Sequence, residues 1–271
     1  MSIVTPSYNQ AQFLEQTILS VLGQDYPRLE YIVIDGGSQD GSVEIIKKYE
    51  SKLAYWVSER DRGQTQAIIK GFARAKGEIW GWLCADDLLE PSMVSISVQY
   101  LLKEAPIGMT FGDQIRIDSK GNIYHVRRFP AFKSYYLRWG FSIPQETVLF
   151  RRRVYEAVGG LDESLHMVMD FDLWCKINKV SSIVHIPAYL GRFRSHMTNK
   201  STIFTNQLKR SAFSTGFPAE YATIFKKHFG RSPSLARRYF IGIITQLQAL
   251  TERRFSKFRN EIISIERIRR S

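Results

Sequence analysis

The chain has 271 residues, 44% of them hydrophobic and 24% charged, which fits one large domain, or one domain with an extension, around an ordinary core. Two widely separated cysteines, Cys84 and Cys175, exclude a disulfide framework and a zinc-ligand spacing, and no run of about 18 apolar residues offers a membrane span. The net charge of +12 is uneven, because residues 1–110 carry 10 basic and 14 acidic side chains, residues 111–271 carry 28 and 12, and residues 205–271 alone carry 14 and 4. An acidic first half and a basic tail suggest two jobs, the second being attraction of nucleic acid, anionic lipid headgroups or a phosphorylated substrate, with solvated helix faces as the plain alternative. With no signal peptide before the first strand, a cytosolic protein is expected.

In chain order, Ser2-Ile3-Val4-Thr5-Pro6-Ser7-Tyr8-Asn9 begins as a β run that should break at Pro6. Residues 12–23 set Leu14, Ile18, Val21 and Leu22 on one helical face. A second strand over 30–35 ends on Asp35, and the turn Gly36-Gly37-Ser38-Gln39-Asp40-Gly41-Ser42 leads into a helix with Val43, Ile46 and Tyr49 inward. Residues 53–59 read as a third strand ending in the charged loop Arg60-Asp61-Arg62-Gly63, and the next helix aligns Ala67, Ile68, Gly71, Phe72 and Ala75. This alternation at a period of about 30 residues is the mark of βαβ units and a parallel sheet. No dinucleotide fingerprint or P-loop lysine motif accompanies it.

The apolar run 79–85 ends abruptly in Asp86-Asp87, with Pro91 at the start of a helix running to about residue 104. Two adjacent carboxylates at the carboxyl end of a buried strand disfavour joint ionisation, and a bound divalent cation with oxygen ligands would remove the conflict. Capping of the following helix is the plain alternative. Residues 107–128 read as a hairpin around Asp118-Ser119-Lys120-Gly121-Asn122, and 129–144 as an aromatic, irregular loop. A strand over 145–150 and a helix over 151–158 closed by Gly159-Gly160 follow. A further helix from Asp170 has Leu173, Trp174 and Ile177 inward and its first carboxylate in the dipole field. The last strand is expected over 183–190, followed by a polar loop in which Arg192, Arg194 and Lys200 surround His196 and face an anion. From about residue 203 the chain reads as basic and helical, and the amphipathic stretch 235–270 can dock on the domain, pair with a second copy of the chain, or lie on an anionic membrane.

Four of these stretches, in register, resemble the family 2 inverting glycosyltransferases of the GT-A fold. They are Val4-Thr5-Pro6-Ser7-Tyr8-Asn9-Gln10, the segment 32–42 around Asp35, Ala85-Asp86-Asp87, and Gly159-Gly160-Leu161-Asp162-Glu163 followed by Met169-Asp170-Phe171-Asp172-Leu173-Trp174. The resemblance covers about the first 200 residues. It implies a Rossmann-like, mostly parallel sheet flanked by helices, with a catalytic domain over 1–202 (nucleotide-binding over 1–112, acceptor-binding over 113–202) and a basic helical extension over 203–271. It also implies a nucleotide-sugar donor, a saccharide or lipid-linked acceptor, and Mn²⁺ or Mg²⁺. Thr5, Pro6, Tyr8, Asp35, Asp61 and Asp86 would line the nucleotide pocket. Asp86 and Asp87, with His196 beside them, would hold the metal, and Asp170 would be the general base. Gly36 stands where many relatives have a second acidic residue, and Gln66 and Ile69 where relatives often carry an acidic residue and an Asn. A nucleotidyltransferase is disfavoured because 5–9 is not a basic, Gly-rich loop, and a silent nucleic-acid-binding module because no such motif is present.

Overall fold

The computed structural model describes residues 1–103, 106–200 and 219–231. Three βα steps and a fourth strand open the chain: β1 (Ser2–Ser7), α1 (Ala11–Leu22), β2 (Glu30–Asp35), α2 (Ser42–Lys48), β3 (Tyr55–Ser58), α3 (Gln64–Arg74) and β4 (Ile79–Trp82). Then come β5 (Leu88–Leu89), α4 (Met93–Lys103), β6 (Ile107–Ile117), β7 (Ile123–Arg127), β8 (Leu149–Arg151), α5 (Arg152–Ala157), α6 (Met169–Val180), β9 (Ser182–Arg194) and α7 (Ala219–Phe229). The strands join one sheet in the order β3-β2-β1-β4-β8-β6-β9-β5, with β7 paired outside β6.

The sheet is parallel through β3, β2, β1 and β4 and mixed beyond, where β8 runs antiparallel to β4 and β6 while β6 and β9 are parallel. The first half is buried on both faces. Along its strands Val4, Ile32, Ile34, Trp80 and Trp82 point to one hydrophobic cluster and Ile3, Tyr31, Val33 and Ile79 to the other, the period-two alternation of a pleated strand. The first cluster is closed by α3, α5, α6 and α7, with Trp82 stacked on Trp174 at 5.5 Å. The second is closed by α1, α2 and α4.

Several boundaries differ from expectation, each for a local reason. β1 does not break at Pro6. Its pairing with β4 stops at Val4, whose carbonyl faces that side, so the missing Pro6 N–H points past the end of the ladder. The helix after the Asp pair begins at Met93, and β5 intervenes, so Asp86 and Asp87 do not cap it. The expected strand over 145–150 is a 3₁₀ turn, Gln145–Thr147, followed by the short β8. β9 continues to Arg194, because residues 189–194 add to the long parallel ladder with β6.

Of the C-terminal extension, α7 packs on the domain: Tyr221, Ile224 and Phe225 join the first cluster, with the Tyr221 ring 5.0 Å from that of Phe171. The stretch 235–270 lies outside the described residues. Among those described, no helix is long and apolar enough to cross a membrane.

Candidate active site

The carboxyl ends of β1, β2, β3 and β4 open together into a cleft of about 1440 Å³, where an α/β sheet binds its ligands. Its far walls come from the β6–β7 hairpin, residues 142–146, the loop residues 166 and 167 with the first turn of α6, and the end of β9 with the loop after it. Pro6, Tyr8, Asp61, Asp86, Asp87 and Asp170 all line it. Tyr8 is 62% exposed, an aromatic face offered at the end of β1.

Two expected lining residues are elsewhere. Thr5 follows Ile3 onto the face covered by α1 and α2, where it is buried and accepts a hydrogen bond from the Tyr31 hydroxyl at 3.0 Å. Asp35 is buried beneath the cleft floor, and its carboxylate accepts the N–H groups of Gly37 (3.1 Å) and Ser38 (2.8 Å) and the hydroxyls of Ser38 (2.6 Å) and Ser58 (2.7 Å). Asp35 thus holds the loop that carries Gly36, Gly37 and Gln39 into the cleft. Asn9, in the left-handed region at φ 52°, buttresses the same loop by accepting from Gln39 N–H at 3.0 Å. Gly36 has a spatial reason: a Cβ there would lie 2.9 Å from Asp61 Oδ2, so the carboxylate at this corner comes from the loop after β3.

The turn holding Asp86 and Asp87 is fixed from two sides. The Thr17 hydroxyl of α1 donates to the carbonyls of Ala85 (2.9 Å) and Asp87 (2.8 Å). From β9, Arg194 N–H donates to Asp87 Oδ1 at 2.9 Å and its Nε to the Asp86 carbonyl at 2.8 Å. Arg194 is therefore spent on the Asp turn and does not line the cleft. It is buried, its guanidinium lying 4.9 Å from the Phe13 ring centre. Arg192 is tied to Glu90. Of the three expected cations, Lys200 lines the cleft, its ammonium hydrogen-bonded to Gln64 Oε1 at 3.0 Å and the His166 carbonyl at 3.2 Å, and burial lowers its pKa.

Asp87 is 4% exposed, and its pKa is raised well above the carboxylate range, first by burial and then by the charges of Asp86 and Glu146. This crowding of negative charge is what a divalent cation would relieve. His196 stands beside the pair, its Nε2 2.9 Å from Asp86 Oδ2 and its ring 4.6 Å from that of Phe13. Among the described residues, the metal-ligand atoms that converge, all within 4.8 Å of one another, belong to Cys84, Asp86 and Asp87. Burial and then the two Asp charges push the Cys84 thiol up, so it sits as a neutral sulfur. The carboxylate oxygens are thus the donors suited to Mn²⁺ or Mg²⁺.

Asp170 sits in the first turn of α6, whose N-cap is Val168. Burial raises its carboxyl to about 6, opposed by the Phe171 N–H that it accepts at 2.7 Å. Two residues on, Asp172 is fully buried. Burial pushes that carboxyl up, but hydrogen bonds from His228 (2.7 Å), Lys176 and Lys227 (3.1 Å) outweigh it and hold it well below the usual range. A second link ties α7 to the loop before α6, where the Glu220 carboxylate accepts the N–H groups of His166 (2.9 Å), Met167 (2.6 Å) and Val168 (2.9 Å).

Sequence reasoning missed Gln64, Gln114, Arg116, Arg127, Gln145 and Glu146 in the cleft and Glu220 behind it. Gln64 enters as the first residue of α3, beside the loop 60–63, and the others enter by contacts between residues far apart in sequence, which no local pattern announces.

The fold is that of the GT-A glycosyltransferases. S. aureus TarS, solved in complex with UDP-GlcNAc, superposes with a TM-score of 0.64 at 16% identity over 82% of this chain and 63% of that one. Mannosyltransferase PcManGT from Pyrobaculum calidifontis, in complex with GDP-Man and Mn²⁺, gives 0.62 at 20% identity over 87% and 66%. The chain thus spans just under two thirds of each of these structures. Residues 2–159 match the family described as Glycosyl transferase family 2, and the chain belongs to that family. Its relatives include an uncharacterized glycosyltransferase of Rickettsia typhi, 29% identical over 80% of this chain and 71% of its own, and one of Mycobacterium tuberculosis, 30% identical over 71% and 74%. Chondroitin synthase of Escherichia coli is 25% identical over 69% of this chain and 27% of its own. The chain is a glycosyltransferase.

Proposed function

We propose that this chain is a divalent-cation-dependent, inverting glycosyltransferase that moves a sugar from a nucleotide-sugar to a hydroxyl of a saccharide or lipid-linked acceptor, in cell-surface polysaccharide or glycolipid synthesis. The observation that carries this reading is one cleft holding the adjacent carboxylates Asp86 and Asp87, the second buried and raised well above the carboxylate range, and an Asp170 carboxyl raised to about 6. The donor classes are supported by the nucleotide-sugars bound to TarS and PcManGT, and polymer synthesis by the chondroitin synthase relative.

In this reading Asp86 and Asp87 would hold the cation, with His196 beside them. When bound, the cation supplies Lewis-acid neutralisation of the charge that grows on the leaving diphosphate. Tyr8 offers a stacking face to the base, with Pro6, Asp61 and the Gly36–Gly37 backbone around it. Lys200 is placed to meet phosphate oxygens. Asp170, ionised above about pH 6, accepts the proton of the acceptor hydroxyl as it attacks the anomeric carbon, a role worth about 10²–10⁴-fold in rate. A single displacement of this kind inverts the anomeric centre.

The test is thermal stabilisation and hydrolysis across UDP-, GDP- and dTDP-sugars with Mn²⁺, Mg²⁺ or EDTA. A nucleotide at about 100 times its Kd should add about 2.7 kcal/mol of stability, in the presence of the cation and not in Asp87→Asn. Retention on heparin with no nucleotide response at all would instead favour a binding module.

A further inference from the structure

The hairpin wall of the cleft carries a feature that the transfer chemistry above does not use. On β6, Gln114 and Arg116 are two residues apart and share a face of the sheet. Arg127 of β7 is the cross-strand partner of Gln114, and Phe193 of β9 is that of Arg116. Both guanidiniums turn to the same amide oxygen, Gln114 Oε1, from Arg116 Nε at 3.2 Å and Arg127 Nη1 at 3.5 Å. Each is also laid against an aromatic ring, Arg116 at 5.7 Å from the Phe193 centre and Arg127 at 4.8 Å from that of Phe129. The other end of the Gln114 amide donates to Glu146 Oε1 at 2.8 Å. Glu146 fits there because residue 191, opposite Gln114, is Gly: a Cβ would lie 2.8 Å from Glu146 Cγ.

The result is a pair of cations oriented by a neutral amide and two rings, open to the cleft beside the candidate transfer site. The charge of Glu146 acts on Asp87 and is itself met by the charges of Arg127 and Arg116, while Asp87 takes its own hydrogen bond from Arg194 N–H at 2.9 Å. The pair stands on the β6–β7 hairpin wall, whereas Asp86 and Asp87, where the proposed function puts the diphosphate, stand on the turn between β4 and β5. Planar guanidiniums in fixed orientation suit an oxyanion, which they can grip with paired N–H donors.

Resting on the proposed function, we infer that Arg116 and Arg127 form an anion subsite for a phosphate or carboxylate carried by the acceptor, and that the acceptor of this enzyme is negatively charged. The test uses calorimetric titration of the full chain with sn-glycerol 3-phosphate and with glucuronate, against glycerol and glucose as uncharged controls. Wild type should bind at least one of the two anions at millimolar concentration and neither control, and which anion binds tells phosphate from carboxylate. Arg116→Gln/Arg127→Gln should weaken that binding by at least about tenfold, the loss expected for charge-assisted bonds, while Lys200→Gln leaves it within about twofold. The same variants are titrated with UDP and GDP in Mn²⁺, and the double variant should keep the wild-type nucleotide affinity. Equal anion binding by wild type and the double variant, or no anion binding by wild type, overturns the subsite. So does a nucleotide affinity that falls with the arginines, which would give the pair to the donor diphosphate. Failure of wild type to bind any nucleotide with Mn²⁺ strikes the transferase reading instead, and the anion titration is scored apart from it.

Discussion

Asp170 and Asp172 lie two residues apart on α6, and their surroundings are opposite. Asp172 is fully buried and met by Lys176, Lys227 and His228, which hold it ionised and join α6 to α7. Asp170 lines the cleft with the Phe171 N–H on its carboxylate, and burial raises its carboxyl to about 6. A related contrast separates Asp35, with three hydrogen bonds from its own loop and one from Ser58 of β3, from Asp87, which has one from Arg194 and two acidic neighbours. The carboxylates that hydrogen bonds or cations satisfy build the frame, and Asp87 and Asp170, raised by burial, face the cleft. Perturbed carboxyls in a cleft are the expected signature of a working site.

If this division is right, substitutions on its two sides must fail in different ways. Asp87→Ala should have the largest effect, a loss of transfer exceeding about 10³-fold, the several kcal/mol that cation stabilisation of the leaving group supplies. EDTA should reproduce the loss in wild type and Mn²⁺ should restore it, and kinetics with the donor found by the nucleotide panel would check both. Asp170→Asn should cost about 10²–10⁴-fold in kcat, with the melting temperature and nucleotide affinity kept. Asp172→Ala should do the reverse, lowering stability by about 3 kcal/mol because it removes the fully buried carboxylate that joins α6 to α7 and leaves the buried His228 ring without its partner, as urea unfolding would show. Glu220→Gln should be the mildest, about tenfold in kcat, with nucleotide affinity unchanged, because it loosens the loop before Asp170 and leaves the Asp pair alone. If Asp172→Ala abolished turnover in fully folded protein, the frame-and-site division would be broken.

Much of the frame was legible in the sequence. The unbroken apolar run 30–35 could be little other than a buried parallel strand, and β2 has those bounds. The places of the Asp pair and of Asp170 in the cleft were legible, because the pair stands where an apolar strand run stops and Asp170 where a helical pattern begins. What escaped depends on pairing at a distance. Pro6 stays in β1 because β4 ends its ladder first, which local propensity cannot foresee. Arg194 looked like a loop cation, and β9's ladder with β6 draws it into the interior. Asp35 looked like a ligand group, and the loop it terminates consumes its oxygens. Glu146, Arg116 and Arg127 meet through strand register and a glycine 45 residues beyond Glu146, and Glu220 reaches 53 residues back to Met167.

The central claim is that an Asp170 carboxyl raised to about 6 accepts the acceptor proton. A base works only when ionised, so kcat at saturating donor and Mn²⁺ should fall tenfold per pH unit below about 6 and level off above it. That rate–pH profile, measured on wild type and Asp170→Asn, is the most direct test. The prediction is an acid limb near pH 6 in wild type and, in the variant, a residual rate that is low and flat across the same range. A variant that keeps most of its activity, or keeps the same limb, would contradict the assignment.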